Sequence, residues 1–348
     1  MPSSQKRNIS RWAFIISVAI LSGGLVFGFG LYSGFKRNAM FDLVSNVWRD
    51  VKLVTGKAHN IVLGGEPIDF LQPSRKPGAG VTVNERADDG KLVLLASSIN
   101  GGNELRLIRR DGSLVARWPA SFSRHFPDVS HLRLPPETDL NVDLNGALIN
   151  PDGSIVFNYE YSGTVKLSRC NETVWTLAHP THHSVETAEN GGYWIPGRRI
   201  LSGADLKEFS PFSRMHTDNT YDDDLILRVT EDGAIAGQMS VARILYDNGL
   251  ELLLTAGDLP TFPGGIWDRE LVHLNKIGEL SSSIADAFQG FKAGDLVISS
   301  RTQNLVFVVG PDDWRVKWHQ MGPWLRQHDP TFNPDGHHHC FQQQRLPL

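Results

Sequence analysis

Turn glycines recur along most of this chain at a nearly even interval. Gly112, Gly153, Gly191, Gly233, Gly294 and Gly336 follow one another at steps of 41, 38, 42, 61 and 42 residues, the long step marking an insertion. Short apolar runs flank them: KLVLLASS, LRLIRRDGSLVARW, GALINPDGSIVFNYEY, DDLILRVTEDGAIAGQMSV and GDLVISSRTQNLVFVVG. Asp-Gly between two such runs is the strongest short-range hairpin signal. Trp118, Trp175 and Trp318 each end a strand-like run. A period near forty residues, with about four strands in each, is the signature of an all-β propeller. Residues 85–348, at about 42 residues per repeat, predict six blades. A sandwich of evenly spaced strands is the alternative. A helical period competes only around RILYDNGLELLLTAGD.

Composition narrows the function classes. With 34 Lys+Arg against 38 Asp+Glu, the net charge of −4 leaves no basic surplus to neutralise phosphates, so nucleic acid is not an expected partner. Hydrophobic residues make up 41% of the chain, as in ordinary globular proteins. The 33 Gly and 19 Pro suit a turn-rich β architecture. Two Cys, Cys170 and Cys340, exclude a disulfide scaffold and any multi-Cys metal site.

The N-terminus sets the expected compartment. Trp12 to Tyr32 contains no charged residue and, as a helix, spans about 30 Å, one hydrocarbon thickness. Lys6, Arg7 and Arg11 precede it; Lys36 and Arg37 follow. This small basic excess favours a cytoplasmic N-terminus and an extracytoplasmic, periplasmic remainder. The stretch reads as an uncleaved signal anchor; a cleaved signal peptide and a buried helix of a soluble protein are the alternatives. In FDLVSNVWRDVKLV the apolar residues Phe41, Val44, Val47, Val51 and Val54 predict a short amphipathic helix beside the membrane. Residues 64–80, rich in Gly and Pro, read as a linker. The expected organisation is therefore a stub and transmembrane anchor over 1–35, a juxtamembrane helix and linker over 36–84, and the propeller over 85–336.

Among the 13 His, two stand at the same offset from a turn glycine. His183 precedes Gly191 by eight residues and His328 precedes Gly336 by eight. Equivalent offsets place both imidazoles at equivalent points of different blades, where loops converge on a propeller's channel. His273 lies in DRELVHLNKI, ahead of GDLVISSR, which ends at Arg301. Glu186 and Glu189 read as surface turn residues.

The stretches THHSVETAENGGYW, DRELVHLNKI, GDLVISSRTQNLVFVV and WHQMGPWLRQHDPTFNPDG resemble the bacterial arylsulfotransferase family that uses no nucleotide sulfate donor. The similarity runs over roughly residues 85–336. Its most specific parts are Ile-Ser-Ser-Arg ending at Arg301 and Gln-His-Asp around His328. The resemblance implies a six-bladed propeller with the active site in its central channel. It implies His328 as the nucleophile that is transiently sulfated, with His273, Arg301 and His183 lining the site. Asn275 and Asp329 are its candidate substrate contacts. It implies an aryl sulfate donor, a phenolic acceptor, and no metal or other cofactor. Ser184 stands where the family pattern has Asp, and Lys276 where it has Ser. A non-catalytic, membrane-anchored propeller that binds a protein or glycan, and a hydrolase of aryl sulfates, are the competing functions.

After Asn-Pro-Asp-Gly the chain ends HHHCFQQQRLPL, in which nothing reads as a strand. Shifted by one nucleotide, codons for this string read as Ile/Thr, Val/Ala, Phe/Ser and Asn/Ser, a strand running into a turn. Residues 337–348 are therefore expected to be a frameshifted tail and the last blade incomplete.

Overall fold

The computed structural model describes residues 3–36, 40, 44, 80–202, 220–255 and 270–342, apart from 82, 86–88, 100, 134, 137 and 337. Apart from Val44, the juxtamembrane helix expected from Phe41 to Val54 lies outside the described residues, as does the linker after it apart from Gly80.

The chain divides into two units, residues 1–69 and 70–348. The first carries α1 (Ser3–Lys36), whose stretch from Arg11 to Lys36 is long and apolar enough to cross a membrane, its most apolar 18-residue window having no buried residue. A helix satisfies its own backbone hydrogen bonds, as a lipid interior requires. The same length and composition also suit a signal sequence.

The second unit is all-β, built as successive antiparallel meanders. β1 (Leu92–Ile99), β2 (Gly102–Arg109) and β3 (Leu114–Pro119) form a three-stranded sheet. β4 (Leu144–Ile149), β5 (Ile155–Tyr159), β6 (Gly163–Leu167) and β7 (Thr173–Leu177) form the next. β8 (Glu186–Thr187), β9 (Tyr193–Ser202), β10 (Thr220–Val229) and β11 (Ile235–Ser240) form a third. β12 (Leu274–Glu279), β13 (Leu296–Ser300), β14 (Leu305–Val309) and β15 (Val316–Met321) form a fourth. β16 (Gln327–Phe332) pairs with β17 (His338–Gln342). The short helices are α2 (Phe122–His125) and α3 (Val241–Asp247), the latter in the run where the sequence showed a helical period.

Alternation along the middle strands shows how the sheets stack. In β5, Ile155, Phe157 and Tyr159 enter one core and Val156 enters the next. In β10, Ile226 faces one core while Leu225, Leu227 and Val229 face another. In β14, Leu305, Phe307 and Val309 face one and Val306 and Val308 the other. Strand side chains point alternately to opposite faces, so a strand apolar on both faces is a wall between two cores. Each large side chain buried there stabilises by about 1.5–3 kcal/mol.

Two expectations change. All six counted glycines adopt positive φ, from +78° to +90°, as tight turns require. However, Gly233 joins β10 to β11, in the same sheet that Gly191 enters between β8 and β9, so these two glycines mark one sheet and not two repeats. Asp-Gly turns serve inner and outer hairpins alike, and counting them overcounts sheets; the described residues form five. The tail differs as well. Residues 338–342, expected to be non-strand, pair with β16, because a ladder needs backbone N–H and C=O groups and no particular side chain.

Candidate active site

The first strands of three sheets slip register, two of them beside candidate residues. Pairing jumps from Leu144 to Ala147 in β4, from Leu274 to Lys276 in β12, and from His328 to Thr331 in β16. Bulges of this kind re-aim side chains beside functional sites.

His183, just ahead of β8, takes φ +50°, a left-handed conformation unusual for a residue with a Cβ. Its surroundings hold it there. Gly146 N–H donates to the His183 carbonyl at 2.7 Å, and a Cβ on Gly146 would overlap that oxygen. Asn158 on β5 donates Nδ2 to the carbonyls of His182, His183 and Ser184 at 3.1, 3.1 and 3.3 Å.

The imidazoles form a chain. Glu270 Oε2 lies 2.7 Å from His273 Nδ1, so that nitrogen carries a proton. His273 Nε2 meets His183 Nε2 at 3.2 Å, and His183 Nδ1 meets His182 Nδ1 at 2.8 Å. Beyond it, His182 Nε2 stands 3.5 Å from Asp224 Oδ1. Arg198 bridges the two carboxylates, donating Nε to Asp224 at 3.1 Å and pairing with Glu270. Its guanidinium lies over the Tyr161 ring, 4.0 Å from the centroid.

His328 and Arg301 complete the cluster. The His328 ring lies 6.2 Å from that of His183, between centroids. His328 Nδ1 donates to the Arg326 carbonyl at 2.9 Å, which leaves the lone pair on Nε2. Arg301 N–H donates to the His273 carbonyl at 2.9 Å, and its Nη2 is 4.0 Å from Glu270. The buried Nε of Arg301 has no hydrogen-bond partner among the described residues.

Environment fixes the charges. Burial, reinforced by neighbouring His182 and His273, holds His183 far below the usual histidine range. Burial also lowers His328, helped by His273 and Arg301 and opposed by its bond to the Arg326 carbonyl. Burial alone would raise the Glu270 carboxyl. The His273 hydrogen bond and charge, with Arg198 and Arg301, override it and hold the group at about 2.

The structure thus brings His183, His273, Arg301 and His328 together, and places the two remaining candidates differently. Asn275 is buried, its Nδ2 donating to the Gln327 carbonyl at 2.8 Å, so its donor anchors the residue before His328. Asp329 is 66% exposed and pairs with Lys276 Nζ at 2.8 Å. Glu186, expected at the surface, pairs with the buried Lys276. Ser184 accepts from the Ile277 N–H at 3.3 Å. Sequence reading missed His182, Asp224, Arg198 and Glu270. Two local signals existed: His182 adjoins His183, and Glu270 stands three residues before His273.

The family model for arylsulfotransferase (ASST) matches residues 146–343, more than half of the chain. The chain belongs to the arylsulfotransferase family. That match takes in the whole histidine cluster and β17. No curated protein matches the sequence. Among solved structures, this arylsulfotransferase-family chain is similar to a protein of unknown function from Bacteroides caccae, at 14% identity and TM-score 0.39 over 70% of this chain and 62% of that one. It is also similar to the WD40 β-propeller domain of Doa1, at 10% and 0.37 over 70% and 55%. A streptogramin B lyase matches at 12% and 0.34 over 75% and 72%. The chain spans less than two thirds of the first two of these structures.

Proposed function

We propose that this protein moves a sulfuryl group from an aryl sulfate to a phenol through a sulfated His328. The observation that carries the reading is the convergence of His183, His273, Arg301 and His328 from beside three different sheets. A neutral His328 with its lone pair on Nε2 is a nucleophile near pH 7. It attacks sulfur as the S–O bond to the aryl group breaks. Arg301, whose buried Nε is unpartnered, offers a donor to the equatorial oxygens on which charge gathers. The proton between His183 and His273 passes to the departing phenolate, and the acceptor phenol returns one before it attacks the N-sulfo group. Asn275 and Asp329 are the nearby substrate contacts in this reading.

The fold and location belong to the same proposal. Residues 1–35 anchor a propeller spanning 85–336 on the extracytoplasmic side, supported by the apolar helix and the basic residues ahead of it. A ring of blades, six by the repeat length, with an incomplete last one is part of this reading; sheets stacked in chain order, the last with two described strands, support the stacking and the short final blade.

The test mixes the full chain with 4-nitrophenyl sulfate and a phenol. Release of nitrophenol that depends on the phenol, and is lost in His328→Ala, is the expected result. Release independent of phenol points to a hydrolase, and no release by the wild type overturns the enzyme reading.

A further inference from the structure

His328 stands between two left-handed residues. Arg326 takes φ +51° and Asp329 φ +55°, and neither is a glycine. Such residues are strained and persist where their surroundings over-determine them. The restraints here come from the fourth sheet, β12 to β15. Asn304 Oδ1 accepts from the Arg326 N–H at 2.7 Å. The buried Gln327 is held at both ends. Asn275 Nδ2 donates to its carbonyl at 2.8 Å, and its own Nε2 donates to the carbonyls of Ser300 and Leu305 at 3.0 and 2.9 Å. Asp329 is tied by Lys276, whose Nζ meets its Oδ1 at 2.8 Å. Two consecutive residues of β12, Asn275 and Lys276, thus hold the residues on either side of His328.

We infer that Lys276 is a positioning residue for His328: its ion pair with Asp329 holds the left-handed turn beside the imidazole and so fixes where the ring points. The part of His328 as nucleophile rests on the sulfuryl-transfer reading; the restraint on its backbone does not. Lys276 stands where the family pattern has Ser, which carries no charge to make this pair.

The lysine suits the task because it is anchored. Its side chain is buried, and its Nζ also pairs with Glu186 on β8. Burial alone would lower the Lys276 ammonium; Glu186 and Asp329 override it and hold the group above the usual lysine range. An ion pair between two freely moving surface side chains is worth little. Here one end is already immobile, so closing the pair orders only the short, exposed aspartate. Pairing of β16 jumps from His328 to Thr331, and such a bulge aims the side chains beside it. The bond from His328 Nδ1 to the Arg326 carbonyl, which leaves the lone pair on Nε2, depends on that aim.

Nitrogen-15 NMR of the full chain in detergent micelles, with His328 assigned through His328→Gln, reads the ring without any substrate. In the wild type Nδ1 carries the proton. Lys276→Met and Asp329→Ala are each expected to move His328 toward the Nε2–H tautomer that an unrestrained histidine favours. Asp329→Gly is expected to keep Nδ1–H, because glycine adopts positive φ without a restraint. Asp329→Ala changes an exposed side chain and serves alone if Lys276→Met fails to fold. A wild type protonated on Nε2, an unchanged His328 in either folded variant, or the same shift in Asp329→Gly overturns the inference. Turnover reads the restraint as a cycle. Lys276→Met is expected to lower kcat/KM for 4-nitrophenyl sulfate about tenfold in the wild type and less than about twofold when added to Asp329→Gly. Equal losses in the two backgrounds place the effect of Lys276 elsewhere and overturn the inference. If Asp329→Gly is itself inactive, the spectrum decides. No wild-type turnover overturns the sulfuryl reading and leaves the restraint to the spectrum.

Discussion

His183 pays for its place with a backbone that a β-carbon dislikes. A left-handed non-glycine residue costs of the order of 1–3 kcal/mol, and Gly146 and Asn158 offset it through the three carbonyls around His183. Gly146→Ala is expected to destabilise by about 1–3 kcal/mol and to displace His183, read as a lower thermal midpoint with reduced turnover. His328 carries the pH dependence. Its pKa is lowered, so it stays neutral at pH 7 and gains its proton only below about 6.5, the ordinary histidine value. The acid limb of kcat/KM should therefore inflect below that pH; an inflection above it would contradict a neutral nucleophile shielded by burial. At this scale the sequence was partly legible. Equal offsets from turn glycines singled out His183 and His328, and the motif resemblance added His273 and Arg301. Asp224 and Arg198 carry no local pattern, because their partners lie tens of residues away along the chain.

At the scale of elements, one lysine joins three sheets. Lys276 on β12 is buried, and it pairs with Glu186 on β8 and Asp329 on β16. Lys276 is 7% exposed against 31% for Glu186 and 66% for Asp329, so the lysine is the most desolvated of the three. Removing a partner from a buried charge costs more than removing the charge itself, since the carboxylates regain water. Glu186→Ala is expected to lower urea stability more than Lys276→Met does; the reverse order would place the desolvation cost on the acids. Sequence reading made Glu186 a surface residue because nothing near it in the chain announces Lys276. It also counted Gly233 as a repeat mark like the other turn glycines, because inner and outer hairpins close with the same Asp-Gly chemistry. The strand order itself was readable, since hairpin turns and apolar alternation are local.

Across the whole molecule, the apolar helix and the β unit have separate physical roles. The helix leaves its large apolar side chains exposed, among them Phe14, Leu25 and Phe27. Deleting residues 1–36 is expected to move the protein from the membrane fraction to the soluble fraction with its β circular dichroism unchanged; retention on membranes would assign attachment to another segment. In the β unit, β5, β13 and β14 have no side turned to water. Such a protein contains no autonomous building block, because excising one sheet bares both neighbours at once. Growth in its lineage must arrive as an entire new sheet slotted between standing ones.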